Sequence, residues 1–404
     1  VLVYIKYNQK KQNRRIQPML CKMIIGTALA TALALPAFAA DPNIPKSMVW
    51  SAYDLGSSGH AEATGIANAL RKNYGTRVRI VPSGTSIGRM LPMVTGKVRY
   101  GFLGNEAFFS AEGTYDYASE QWGPQNVRIV LGRVASVSLA AAKDANIKTV
   151  ADMKGKRLGY VKANPSINVK TDAMLAFGDL TRGDVQVSMF SSYGAMKTAL
   201  LANQIDVFMS VPTSAVIREV EASPRGLSWP EYPPENKVGW EAVTNVISFA
   251  GPVHETRGAG LSEESPRWMV GYRYPLITVY QDKVPAEEVY NIVKAIDLSY
   301  DDFKQTTSSS FNWALEKSGR TPYDAPAHDG TIRYMKEKGL WRDEDQAWHD
   351  KRLARLNKLL EAWEVAQADF HDYRVAESEK GNKINAKDEW PAVWEKARLK
   401  ALGM

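Results

Sequence analysis

The sequence predicts an α/β protein built on parallel sheet, and three observations carry that prediction. Short apolar runs alternate with segments of helical periodicity over most of the chain, the pattern of repeated strand–helix–strand units. Turns rich in Gly, Ser and Asn follow the strands and open the helices. No long run of strands without intervening helices occurs before the last sixty residues, which are helical in pattern throughout.

The elements follow in order. "MVWSAY" from Met48 is a strand, and His60 to Tyr74 carries Ala63, Ile66, Ala67, Leu70 and Tyr74 at helical spacing. "RVRIVP" is a second strand, followed by "SGTSIG" and a helical segment ending near Gly96, and "YGFLG" is a third. "VRIVLGRVASVSLAAA" is a long β-prone run of one or two strands. A new unit begins at "TVADMKGKRLGYV", where a strand from Arg157 to Val161 feeds "KANPSIN" and a helix over Val169 to Phe177. "DVQVSMF", "SYGAMKTALLANQ" and "IDVFMSV" continue the alternation. The Pro-, Trp- and Gly-rich "ASPRGLSWPEYPPENKVGW" reads as a surface loop. "YPLITVYQ" is another strand, and "PAEEVYNIVKAIDLSYDDF" a helix with Pro285 at its first turn. From Trp341 onward the chain holds five of its eleven tryptophans, with Leu356, Leu360, Trp363, Phe370 and Tyr373 forming one apolar stripe on a long helix. Such a stripe either packs on its own globule or offers a face to a partner protein.

At 404 residues the chain has room for two or three domains. The formal charge of +7 points to nucleic acid only if it is spread over the folded part. It is not: Lys6, Lys10, Lys11, Arg14, Arg15 and Lys22 precede the first acid, and the rest of the chain carries +1 of the +7. This basic stretch, the apolar run Met23 to Leu35 and "PAFAAD" have the layout of a secretory signal peptide over 1–39, cut after Ala39. The run is shorter than the ~20 residues of a spanning helix. The one cysteine, Cys21, would leave with the signal, so the mature chain offers no disulfide, thiolate metal site or cysteine nucleophile.

Function is sought in the turns, because ligands of parallel sheets bind outside the carboxyl ends of the strands. "YDLGSSGHAEATG" fits neither GxGxxG nor GxxxxGK[ST], which leaves exposed N–H groups and small hydroxyls at a helix start. Such residues also serve as ordinary caps. Three such turns together, the second with Thr85, Ser86 and Arg89 and the third with Asn164, Ser166 and Asn168, describe a cleft for a small acceptor-rich ligand such as a carboxylate. Arg89 either faces that cleft or lies on a solvated helix face. Gly84-Thr85-Ser86-Ile87-Gly88 also matches the nucleophile elbow GxSxG, which would need a histidine from among His254, His328, His349 and His371. The spacings of a zinc protease or an EF-hand are missing, and neither metal nor cofactor is expected.

These turns, in this order and after a signal peptide, resemble the TAXI family, the extracytoplasmic solute receptors of TRAP transporters. "SSGHAEATG", "VPSGTSIGRMLPMVTGKV", "TVADMKGKRLGYV", "MKTALLANQIDVFMSVPTSAV", "YPLITVYQDKVPAEEVYNIVKAI" and "APAHDGTIRYMKEKGLW" carry the resemblance over Val49 to Trp341. It implies a type II periplasmic binding protein: one lobe from 48–142 and 274–341, a second from 143–273, hinge strands between them, and here an added helical extension over 342–404. It implies no enzymatic activity, a small organic acid or amino acid as ligand, and TRAP permease subunits as partners. Ser57, Ser58, Thr85, Ser86, Arg89, Asn105 and Glu106 would form one wall of the cleft. Asn164, Ser166 and Asn168 would form the other, with Pro212 and Thr213 at the rim and Glu106 available to an ammonium group. The chain departs from the family's usual motifs at Ser58–Gly65, at Leu103-Gly104-Asn105-Glu106, at Asn164-Pro165-Ser166-Ile167 and at His328-Asp329-Gly330-Thr331.

Overall fold

The computed structural model describes residues 41–404; the signal peptide assigned to 1–39 lies outside them. In chain order the first elements are β1 (Ser47–Tyr53), α1 (Ser58–Tyr74), β2 (Arg77–Ser83), α2 (Ser86–Val94), β3 (Tyr100–Leu103), α3 (Glu106–Glu112) and β4 (Val127–Ala142). Then come β5 (Arg157–Val161), α4 (Pro165–Ala176), β6 (Gln186–Phe190), α5 (Tyr193–Leu201), β7 (Val207–Ser210), α6 (Ala215–Glu221), β8 (Leu227–Ser228), α7 (Lys237–Val246) and β9 (Gly251–Glu255). The chain closes with β10 (Arg267–Tyr280), α8 (Ala286–Leu298), α9 (Tyr300–Phe303), α10 (Leu315–Ser318), α11 (Asp329–Glu337), α12 (Asp343–Glu379) and α13 (Ala386–Leu402).

The strands run in the order β2-β1-β3-β10-β4-β7-β5-β6. β1 pairs in parallel with β2 and β3, and β5 in parallel with β6 and β7, so each half contains a three-stranded parallel unit built from βαβ crossovers. Two long antiparallel strands join the halves. β4 pairs with β10 over Val127–Val137 and with β7 over Ser138–Ala141, while β10 pairs with β9 at its start and β3 near its end. The chain therefore crosses between the halves twice, which is the two-lobed, type II periplasmic binding protein architecture. Strands β3 and β7 are buried along their whole length, as expected for parallel strands covered on both faces.

One local expectation is resolved and another changes. Of the one or two strands expected in "VRIVLGRVASVSLAAA", the structure has one, of 16 residues, whose two ends pair with different strands. The Pro- and Trp-rich segment is not a surface loop: Trp229, Tyr232 and Trp240 are buried, with Tyr232 and Trp240 stacked against Phe177. Its prolines end regular structure, but its aromatics supply core.

The C-terminal extension is a helical hairpin, and its apolar side faces inward. Leu356, Leu359, Trp363 and Phe370 of α12 are buried with Trp390 and Trp394 of α13. Trp363 meets both α13 tryptophans edge-on at 4.8 Å. The indole N–H groups of Trp390 and Trp394 donate to the carbonyls of Ala118 and Gly113, just beyond α3. Tyr373, expected on the same stripe, is exposed.

Candidate functional site

The three turns singled out in the sequence lie at the carboxyl ends of β1, β2 and β5, the first two in one lobe and the third in the other, and residues at each line one cavity. Each is a capped helix start. Ser57 Oγ accepts from the His60 N–H, Thr85 Oγ1 from the Gly88 N–H and Asn164 Oδ1 from the Ile167 N–H, so these side chains satisfy helix ends that would otherwise leave donors unpaired. Gly56 makes the first turn possible: at φ 80° it occupies the left-handed region, and its carbonyl accepts from the Val216 N–H and Ser214 Oγ of the second lobe.

The cleft is closed. Ser86 Oγ donates to Asn164 Oδ1 at 2.5 Å, Asn164 Nδ2 donates to the Gly84 carbonyl, the Ile87 N–H to the Ala163 carbonyl, and the Gly194 N–H to Asp54 Oδ2. Ala163 sits at φ 52°, a conformation a non-glycine residue adopts only at some cost, and it aims that carbonyl at the opposite lobe.

Between the lobes lies a cavity of about 40 Å³, lined among others by Tyr53, Ser58, Arg89, Ser166, Lys170 and Tyr274. One water needs ~10–15 Å³, so the closed form has room for a few waters or a ligand of few heavy atoms. Four tyrosines, Tyr53, Tyr193, Tyr272 and Tyr274, form much of its wall, with Ile167, Met209 and Val211 as apolar patches. The Tyr193 hydroxyl bonds with Ser210 Oγ, and the Tyr274 hydroxyl accepts from the Gly59 N–H. The hydroxyl of Tyr53 and Oε2 of Glu106 are buried without a hydrogen-bond partner. Both crowd Gly104 together with Ser166 Oγ, and a Cβ built there would come within 3 Å of all three atoms.

The charges are arranged in two groups. Arg89 is buried, stacked 4.2 Å above the Tyr53 ring, and its Nε donates to Glu106 Oε1 at 2.7 Å. Burial opposes ionisation of Glu106, but the guanidinium outweighs it and holds the carboxyl below its usual range. Arg89 therefore faces inward with its charge already matched, and Glu106 is a counterion rather than a free ammonium site. In the second group Lys170 Nζ donates to Asn105 Oδ1 at 2.8 Å, and Asn105 Nδ2 donates to Asp324 Oδ2 at 2.9 Å. Burial pulls Lys170 down to about 7 and pushes Asp324 up to about 7.

Of the sequence-assigned residues, Ser57, Ser58, Arg89 and Ser166 line the cavity. Ser86 and Asn164 close it, Thr85 caps α2, and Asn105 and Glu106 hold Lys170 and Arg89 from behind. Three residues lie elsewhere. The Asn168 amide bonds both ways with the backbone of Val161, the carbonyl of Pro212 accepts from the Ala259 N–H, and neither these nor Thr213 lines the cavity. The sequence reading missed Lys170, Tyr53 and the tyrosines of β10. The signal for Tyr53 was its place as the last residue of the first strand, and for Lys170 its place one turn after Ser166 on α4.

Ser86 is engaged by an amide of the opposite lobe rather than by a histidine. Its Oγ is committed to Asn164. His328 caps α11 by accepting from the Gly330 N–H, and its Nε2 contacts the Val284 carbonyl. His254 stacks on Trp268. Among the described residues no group of three or more His, Cys, Asp and Glu side chains could hold a metal ion, and no helix is long and apolar enough to cross a membrane.

Comparison with solved structures finds similarity at low identity. The alkanesulfonate-binding protein of Xanthomonas axonopodis pv. citri, bound to MOPS, is 13% identical, with 75% of this chain and 96% of that one covered and a TM-score of 0.39. A binding protein component of an ABC phosphonate transporter from Pseudomonas aeruginosa is 12% identical, with 88% and 96% covered and a TM-score of 0.42. An ancestral arginine-binding protein bound to arginine is 14% identical, with 65% and 98% covered and a TM-score of 0.40. Residues 59–229, from the start of α1 to the buried Trp229, match the model of the NMT1-like family.

Proposed function

We propose that the protein is an extracytoplasmic, periplasmic solute receptor of the TAXI type, which encloses a small organic acid or amino acid between two lobes and delivers it to the membrane permease of a TRAP transporter. Residues 48–142 with 274–341 form one lobe in this reading and 143–273 the other. The supporting observation is the convergence of polar side chains from both lobes on one enclosed cavity at the carboxyl ends of the strands: Ser58 and Arg89 on one side, Ser166 and Lys170 on the other. Hinge closure of two such lobes is a common device for sequestering a ligand. The helical extension packs its apolar face on its own chain, which favours the receptor over a tail that docks partners.

A thermal-shift screen of carboxylic and amino acids on the mature protein tests this. A ligand at ~100 times its dissociation constant adds ~2.7 kcal/mol to stability, a shift of roughly 3 to 4 °C for a chain of this size. If no small acid or amino acid shifts the midpoint, the receptor reading fails.

A further inference from the structure

Resting on that reading, we propose that Lys170 is the cation that meets the ligand's anionic group, so that the closed cleft takes up a small monoanion together with a proton from solvent. The geometry singles out Lys170. Arg89, the other cation of the cavity wall, donates to Glu106 Oε1 and to the Ser83 carbonyl and lies flat on Tyr53, so its charge is matched by a buried carboxylate and two of its five donors are taken. Lys170 is buried, makes one short hydrogen bond to Asn105 Oδ1 and a long one of 3.4 Å to Ser166 Oγ, and lines the cavity. An ammonium has three donors. Those two bonds leave one donor over, and Tyr53, whose hydroxyl is unpartnered, lines the same cavity.

The surroundings do not fix the charge on Lys170. Arg89 faces it from α2, Glu106 from the start of α3, Asp324 from the segment before α11, and the Tyr272 ring from β10, 4.3 Å from Nζ. Glu106 and then Asp324, itself hydrogen-bonded to Lys170's partner Asn105, favour the charged ammonium, Arg89 opposes it less strongly than either, and burial outweighs the carboxylates, leaving Lys170 and Asp324 near half-titration at neutral pH. An anion brought into the cavity favours the charged ammonium. Lys170 is increasingly neutral above pH 7, so binding there draws a proton onto Nζ, and affinity for the anion falls by up to about tenfold per pH unit. A neutral ligand of the same shape gains nothing from this.

The test compares acetate, lactate, glutamate, methanesulfonate and phosphate with acetamide, lactamide and glycerol by thermal shift, from about pH 6 to about pH 9, on the wild type, Lys170→Met and Lys170→Arg. The expected result is stabilisation by one or more monoanions and by none of the uncharged compounds, declining as pH rises above 7. Lys170→Met should fold and lose the response, and Lys170→Arg should recover part of it with no pH dependence, since arginine does not deprotonate. Stabilisation by uncharged compounds alone, an unchanged response in Lys170→Met, or a flat pH profile in the wild type overturns the role of Lys170 while leaving the receptor reading standing. No stabilisation by any compound sinks both.

Discussion

The helical hairpin should be locked to the body of the protein by one carboxylate, and Glu112→Gln should release it. Glu112 is the last residue of α3, and three arginines converge on it from the hairpin. Arg355 donates to both carboxylate oxygens at 2.7 to 3.1 Å, Arg352 lies at 2.8 Å, and Arg398 of α13 approaches to 4.0 Å. Arg355 is more than a third exposed, so its contribution is screened and small. Arg352 is 13% exposed and Glu112 4%, and stripping the charge from a pair so largely buried costs ~3–5 kcal/mol at most. Arg352 keeps its bond to the Asp324 carbonyl, so about 3 kcal/mol is the expected loss. For the unit Pro42–Met404 the unfolding entropy is ~0.8 kcal/mol/K, which makes the shift in midpoint about 4 °C. Hydrogen exchange is the sharper assay, because 3 kcal/mol is roughly a hundredfold in protection, and the loss should fall on amides of α12 and α13. The sign with pH follows from Glu112 itself: burial opposes its ionisation, the arginines outweigh burial, and the carboxyl is held below the usual 4.5. Its stabilisation is complete above that value and disappears as pH falls through the lowered one. The wild-type hairpin should thus lose protection in acid, and Glu112→Gln should lack that dependence. Protection within a factor of two of wild type, or a loss spread evenly over both lobes, would refute the lock.

Two further outcomes are expected. Arg133 and Glu62 are fully buried and joined by two short hydrogen bonds, with Thr307 and Trp313 also donating to the carboxylate. Arg133→Met or Glu62→Leu alone should cost ~3–5 kcal/mol in chemical denaturation, while the double variant recovers much of it; additive losses would show that the pair is not the unit. Ser86→Ala removes a bond across the cleft without touching the α4 cap, so small-angle scattering should show a larger radius of gyration in the absence of ligand, at a stability cost of about 1 kcal/mol. Unchanged scattering would mean that Ser86 does not help hold the lobes together.

What the sequence made legible was what local chemistry decides. The alternation of strand and helix depends on side-chain period, and the caps at Ser57, Thr85 and Asn164 depend on residues two or three positions away, so both could be read without a partner in view. The hinge strands were half legible: the β-prone run was evident, but that its two ends serve different sheets is a tertiary fact. Asn168 shows the limit. It stands in the first turn of α4, just past the carboxyl end of β5, yet whether its amide turns to the cleft or back to the last backbone groups of β5 is decided by a helix rotation that the sequence does not display. Lys170 and Asp324 were hidden for a stronger reason. A lysine in a helix is exposed in most settings, and the groups that receive this one, Asn105 and the Tyr272 ring, lie far from it in the chain.

The same caps bear on how the proposed receptor would hold a ligand. Three helices point their first turns at the cleft, but the cap side chains already take up donors there, and the lobes use Gly84, Ile87 and Ala163 on one another. What the wall offers a ligand is Lys170 with one donor left over, a set of tyrosine and serine hydroxyls, and apolar contact from Ile167, Met209 and Val211. A second carboxylate would enter beside Asp54 with Arg89 already neutralised, and an uncompensated charge in such a space is costly. On the proposed receptor reading, the chemistry of the wall therefore favours a compact monoanion with a short apolar or hydroxylated body over a dicarboxylate. The side chains that achieve this come from β1, α4, β7 and β10, elements that no single stretch of sequence brings together.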